Sequence, residues 1–276
     1  MTTATMSSNP TATSAGTTPR AGFIDTLASE WSKLATLRAS QITLAAGFLL
    51  SIATTAIGCI ALGMTQDDWS PDFSPVTTTM IGVAFGVMVY TVFGVMAVSR
   101  EYANGTIRLT LTATPGRSRV FFAKLLITVG TLAIAGLGST ISMFFVGQLL
   151  LSSYGMPTAS LADPDAARMV LGLGVAMPFF PVIGFAFGAL LRSTAGGITT
   201  ALGLLWLPQI FGQLVSDSFQ ENVLSLLPSN GMDAMTSGHI QHSPAFPDPM
   251  LGAVVAATWF AVIVAAAYLA FMRRDA

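Results

Sequence analysis

Six long stretches of this chain are apolar on every side of a helix, and polar residues collect between them. They run over about Gln41–Gly63, Val76–Ser99, Phe122–Ser152, Met169–Leu191, Ala195–Val215 and Met250–Met272, with no charged residue or histidine in their middles. A helix uncharged all round cannot face water, and each stretch reaches the roughly 20 residues needed to cross a bilayer core. The pattern predicts an all-α polytopic membrane protein with six transmembrane helices over residues 41–276. The third stretch is too long for one straight crossing. It is expected to tilt, or to begin as a cytoplasmic helix near Ser118.

Charge orients the helices. Arg20, Lys33, Arg38, Arg100, Arg108, Arg117, Arg119, Lys124, Arg192, Arg273 and Arg274 all fall on one side of the span pattern, leaving Arg168 on the other. Nine of the thirteen acidic residues lean to the Arg168 side. Basic loops stay in the cytoplasm, so both termini are expected there; with only two lysines beside many Ala, Gly and Arg, the composition points to a GC-rich bacterial genome and hence to a bacterial plasma membrane. Residues 1–20 are rich in Thr, Ser, Ala and Pro and read as a disordered cytoplasmic tail without a cleavable signal.

Three segments between spans have patterns of their own. Across Gly22 to Ala39, Phe23, Ile24, Leu27, Trp31 and Leu34 recur at helical spacing. This predicts an amphipathic helix on the cytoplasmic membrane face, covering residues 21–40. It either anchors the chain or also touches a cytoplasmic partner. Residues 100–124 form the longest cytoplasmic connection between spans. Asn104-Gly105 signals a turn, Thr106 can cap a short helix, Pro115-Gly116 ends it, and Ser118 can cap the next. That segment is either a lever between two spans or a basic loop that sets topology. The external segment 216–249 holds an apolar patch, Val223 to Leu227, too short to span, and is expected to form re-entrant or interfacial helices.

Composition narrows the chemistry. With 53% hydrophobic and 9% charged residues, the chain is far from a soluble domain. The single Cys59 lies inside the first span and reads as a packing residue. His239 and His242 are three apart on one loop with no third ligand evident, so no metal site is expected. Neither lysine fits a phosphate-binding loop, so the chain itself is expected to hydrolyse no nucleotide and to hold no cofactor. Span middles without ionisable groups argue against an ion-coupled carrier. Phe85, Met88, Tyr90 and Phe93 in the second span, with Trp206 and Gln209 in the fifth, could line an amphipathic pathway or could be helix packing. Gly82/Gly86 and Gly184/Gly188 have the spacing that lets helices approach closely.

From Phe23 to Arg274 the chain resembles the permease subunits of type-2 ABC exporters, in particular the actinobacterial ones. The resemblance rests on Glu30-Trp31-x-Lys33-Leu34 before the first span and Glu101-Tyr102-x-x-Gly105-Thr106-Ile107-Arg108 after the second. Leu190 to Gly196 between the fourth and fifth spans, and Leu227-Pro228-Ser229-Asn230 before the sixth, complete it. It implies an interface helix at Gly22–Ala39, with Trp31, Lys33 and Arg38 in support. It implies a coupling helix at Glu101, Tyr102, Gly105, Thr106, Ile107 and Arg108, seated on a separate ABC ATPase. Family members work as two permeases with two ATPases, which bind the ATP and Mg. The second permease here would be the same chain. The substrate would be amphiphilic (a drug, a lipid or a hydrophobic peptide), with no nucleic acid involved. A non-transporting sensor or assembly subunit, and an ATPase-independent channel or carrier, remain the other readings.

Overall fold

The computed structural model describes residues 22–65, 73–113, 116–212, 226–228 and 249–273. The expected tail, the histidine pair and nearly all of the external segment 216–249 lie outside these residues. The described residues are helical with no strand: α1 (Phe23–Thr36), α2 (Arg38–Thr65), α3 (Pro75–Thr79), α4 (Val83–Ala103), α5 (Thr106–Ala113), α6 (Arg117–Ser153), α7 (Pro164–Ala176), α8 (Phe179–Leu191), α9 (Thr194–Gly212) and α10 (Pro249–Arg273).

Five helical segments among the described residues are long and apolar enough to cross a membrane: Arg38–Thr65, Val83–Ala103, Arg117–Ser153, Pro164–Leu191 and Met250–Arg273. The remaining expected span corresponds to α9, a 19-residue helix interrupted by Pro208, whose expected end at Val215 lies outside the described residues.

Several boundaries differ from the sequence expectation for local reasons. The interface helix stops at Thr36, Leu37 is extended, and a new helix starts at Arg38, so Arg38 belongs to the first span. The second span is broken near its N-terminal end. Ser74 caps α3, and the chain turns through Met80–Gly82 before α4 begins. A Cβ on Gly82 would lie 2.0 Å from the carbonyl oxygen of Ser51, so the turn presses against α2 where only glycine fits. The fourth span is two helices. Met177 and Pro178 separate α7 from α8, since proline supplies no N–H to continue the ladder. The third span is one 37-residue helix, unbroken from Arg117 to Ser153 and longer than a straight crossing needs. Thr106 is the first residue of α5 and not its cap; its hydroxyl donates to the Glu101 carbonyl. Ser118 likewise lies inside α6, behind the N-cap Gly116, and shares a hydrogen bond with Tyr268.

Packing is closest between α4 and α8. A Cβ on Gly94 would sit 2.0 Å from the Pro181 carbonyl oxygen. A Cβ on Gly184 or Gly188 would lie 2.7 Å from the carbonyl oxygen of Thr91 or Val95. The small-residue spacing at Gly184/Gly188 is thus a real contact between two backbones. Around it, Phe121, Phe185, Ile183 and Val98 build the largest core cluster, which α10 closes with Ile263, Ala267 and Phe271. Cys59 is buried and free, packed beside Leu151 and Met156.

Candidate functional site

The basic ends of α1, α4 and α6 meet in a cluster of four charges. Glu30 and Lys33 come from one face of α1, Glu101 from the last turn of α4, and Lys124 from the second turn of α6. Lys124 Nζ donates to Glu30 Oε2 at 2.5 Å and to Glu101 Oε1 at 2.8 Å. Lys33 Nζ donates to Glu30 Oε1 at 2.7 Å and to Glu101 Oε1 at 3.2 Å. The side chains of Glu30, Lys124 and Glu101 are 5%, 7% and 13% exposed, while Lys33 is 37% exposed. Two cations and two anions alternate, so the cluster is neutral and its charges are paired away from water. Glu101 Oε2 is buried and accepts no hydrogen bond from any described group. Burial alone would lower the pKa of Lys33. The hydrogen bond it donates to Glu30 and the charges of Glu101 and Glu30 outweigh it and hold the ammonium above its ordinary value.

This arrangement turns α1 in an informative way. Its polar positions Thr26 and Glu30 are buried against the bundle, while Ile24 and Trp31 are 78% and 50% exposed. Part of the apolar face stays exposed, Leu34 packs against the cluster of Tyr90 and Phe93, and part of the polar face is consumed by the chain's own helices.

The segment after α4 is fastened on three sides. Glu101 ties it to α1 and α6. Tyr102 lies under the Arg192 guanidinium, whose carbon is 4.9 Å from the ring centroid. Arg192 is the left-handed residue between α8 and α9, and Ser99 bonds Thr194 across the same junction at 2.8 Å. Beyond α5, Arg117 donates to the Met272 carbonyl and Ser118 pairs with Tyr268, both on α10. Gly105 makes the turn from α4 into α5 with φ +66°, a left-handed conformation natural to glycine. Ile107 is 4% exposed within the main core cluster, and Leu109 is 70% exposed. The described side chains do not include Arg108.

The expected pathway residues divide. Tyr90 and Phe93 are buried inside the protomer, packed with Val87, Leu132 and Met177. Tyr90 shares a 2.8 Å hydrogen bond with Ser139, and its ring fills the space beside Gly47. Phe85 is 42% exposed, and Met88 and Trp206 are half-buried. Gln209 lies on α9, with its side chain outside the described set.

Two cluster members were not among the expected site residues as functional groups: Glu30, quoted only within its motif, and Lys124, counted only for topology. A signal for Lys124 exists, since it stands one turn inside an apolar run, Phe121-Phe122-Ala123-Lys124-Leu125-Leu126. A charge so placed requires a partner.

None of the curated proteins compared matches the chain. A family model does: that described as ABC-2 family transporter protein, over residues 11–276. With a basic-ended helical bundle, five membrane-length apolar helices and a family match across nearly its whole length, the chain belongs to the ABC-2 family of transporter proteins, as an integral-membrane permease subunit of the kind that works with an ABC ATPase.

Proposed function

We propose that the chain is the permease of an ATP-driven exporter for an amphiphilic substrate, with six spans and both termini in the cytoplasm of a bacterium. It would act as a homodimer on two copies of a separate ATPase, which supply the ATP and Mg sites. The observation that carries this reading is the fastening of the segment around α5. Glu101, Tyr102, Arg117 and Ser118 link it to α1, α6, the α8–α9 junction and α10. A push on α5 therefore reaches α1, α6 and the α8–α9 junction through the turn at Gly105 and the last turn of α4.

In this reading Glu101 is a positioning residue, since its carboxylate faces two lysines of its own chain. The surface offered to the ATPase is α5 itself. Leu109 is exposed there, Ile107 anchors it from behind, and Gly105 lets it turn back towards the bundle. Arg108 remains a proposed contact. A substrate pathway along a permease dimer interface would use Phe85, Met88 and Trp206, with Tyr90 and Phe93 as inner support. Re-entry of the external segment is supported by one hydrogen bond. Trp259 Nε1 donates to the Leu226 carbonyl at 2.6 Å, and Trp259 stands ten residues into α10, about 15 Å along it.

A Leu109→Cys variant in a Cys59→Ser background tests this directly. Treated in native membranes with a bifunctional maleimide, it is expected to crosslink to an ATPase that carries a phosphate-binding loop. ATP-dependent efflux in vesicles should accompany the crosslink. A crosslinked complex that moves no substrate would favour a sensor or assembly subunit. Flux without ATP or any partner would favour a channel or carrier.

A further inference from the structure

Beside the four-charge cluster lies a small cavity enclosed by α1, the first turn of α2, α4 and α6. Its apolar walls include Leu34, Phe93, Met96 and Ile127. One more charge lines it, Arg100. The cluster itself sums to zero, so Arg100 is the surplus cation of the cavity. Its guanidinium donates to the Met96 sulfur at 3.5 Å and meets no carboxylate among the described residues. A thioether is a weak acceptor for a half-buried guanidinium, whose fork geometry matches two oxygens of a phosphate. The cavity, about 70 Å³, has room for a few waters or a phosphate-sized group and is far below a drug-sized site. Its rim is open, with Leu37 49% and Lys33 37% exposed. Arg100 lies three residues from the end of α4, and Lys124 seven residues from the start of α6. The cavity is therefore at the depth of lipid headgroups, one to two turns inside the ends of the spans.

We propose that this cavity binds the phosphate of an anionic phospholipid from the leaflet on the chain's basic side, with Arg100 holding the phosphate and the apolar side chains at the open rim meeting the glycerol end of the lipid, whose acyl chains stay in the bilayer. Basic pockets between membrane helices attract anionic headgroups, each Lys or Arg adding about 1 kcal/mol near the surface. The walls favour a lipid over a free anion, because inorganic phosphate would leave Leu34, Met96 and Ile127 against water. The proposal rests on membrane insertion and on which end is basic. It does not require that the chain export anything.

The test uses the purified permease alone in neutral detergent, without an ATPase. Phosphatidylglycerol, phosphatidylcholine with the same acyl chains, and inorganic phosphate are titrated separately, and binding is read by native mass spectrometry. Phosphatidylglycerol is expected to bind roughly fivefold tighter than phosphatidylcholine, the factor that corresponds to about 1 kcal/mol. Arg100→Gln should abolish that preference, and Arg100→Lys should keep most of it. Arg100 stands outside the four-charge cluster, so the unfolding midpoint of both variants in lipid-free detergent should match the parent. Equal binding of the two lipids would overturn the proposal. So would a preference that survives Arg100→Gln, or displacement of phosphatidylglycerol by millimolar inorganic phosphate.

Discussion

Lys124→Met removes one of two cations from a site where three of the four side chains are no more than 13% exposed. The cluster goes from neutral to one net negative charge, with Glu30 and Glu101 sharing Lys33. Leaving a buried charge uncompensated costs about 3–5 kcal/mol. Lys33→Met changes the formal charge by the same amount. Lys33 is 37% exposed, so water takes the place of its ammonium, and the expected loss is nearer 1 kcal/mol. The two lysines should therefore differ by at least about 2 kcal/mol although each touches both carboxylates. Lys124→Met combined with Glu30→Gln restores neutrality and keeps the Lys33–Glu101 pair at 3.2 Å. The double variant should regain at least about 2 kcal/mol over Lys124→Met alone, a coupling that independent sites would not show. The measurement is unfolding in mixed micelles of rising SDS fraction, followed by circular dichroism for parent, both single lysine variants, Glu30→Gln and the double. Equal losses for the two lysine variants would refute the burial argument. A double variant that loses the sum of its singles would refute the pairing itself.

Four further outcomes are expected. Gly94→Ala forces α4 away from Pro181 and should cost about 1–3 kcal/mol, with a lower melting midpoint. Gly130→Ala, whose Cβ would meet nothing within 4 Å, should leave the midpoint unchanged or raise it slightly. Gly105→Ala places a Cβ on a residue at φ +66°, costing about 1–2 kcal/mol. It should lower transport per ATP hydrolysed in the complex reconstituted with its ATPase, and Gly105→Asn should lower it less. Tyr90→Phe removes the bond to Ser139, which still donates to the Ala135 carbonyl at 2.8 Å. The loss should be about 1 kcal/mol, with efflux preserved; abolished efflux would mean that the Tyr90 hydroxyl meets substrate.

Five of the six expected spans correspond to membrane-length helices, legible in the sequence because a charge-free helix longer than about 20 residues has few places to go. The break at Met177–Pro178 was not read, although Pro178 and Pro181 are plain to see. Hydropathy averages over a window, and a missing backbone donor does not change it. The interior of the bundle was the least legible part. Tyr90, Phe93 and Phe85 share one helix that is apolar all round, so periodicity gives no rotation, and only packing decides which two turn inward. Glu101 illustrates a different limit. The resemblance implies for it a contact outside the chain. Its partners within the chain, Lys33 and Lys124, come from other helices, and Lys124 meets Glu30 across 94 residues of sequence. No local pattern encodes that meeting.

The four-charge cluster also sets an order of assembly during synthesis. α1 leaves the ribosome first, carrying Glu30 and Lys33, which bond each other within one helix. Glu101 comes next, at the trailing end of α4, and can join Lys33 before any later helix exists. Lys124 arrives last, about 10 Å into α6, after both of its acceptors have been synthesised. The longest helix of the bundle thus enters after the residues on which it docks. A chain lacking α1 would deliver Lys124 to Glu101 alone, and the nascent protein would lose the contact that holds α6 at its proper depth.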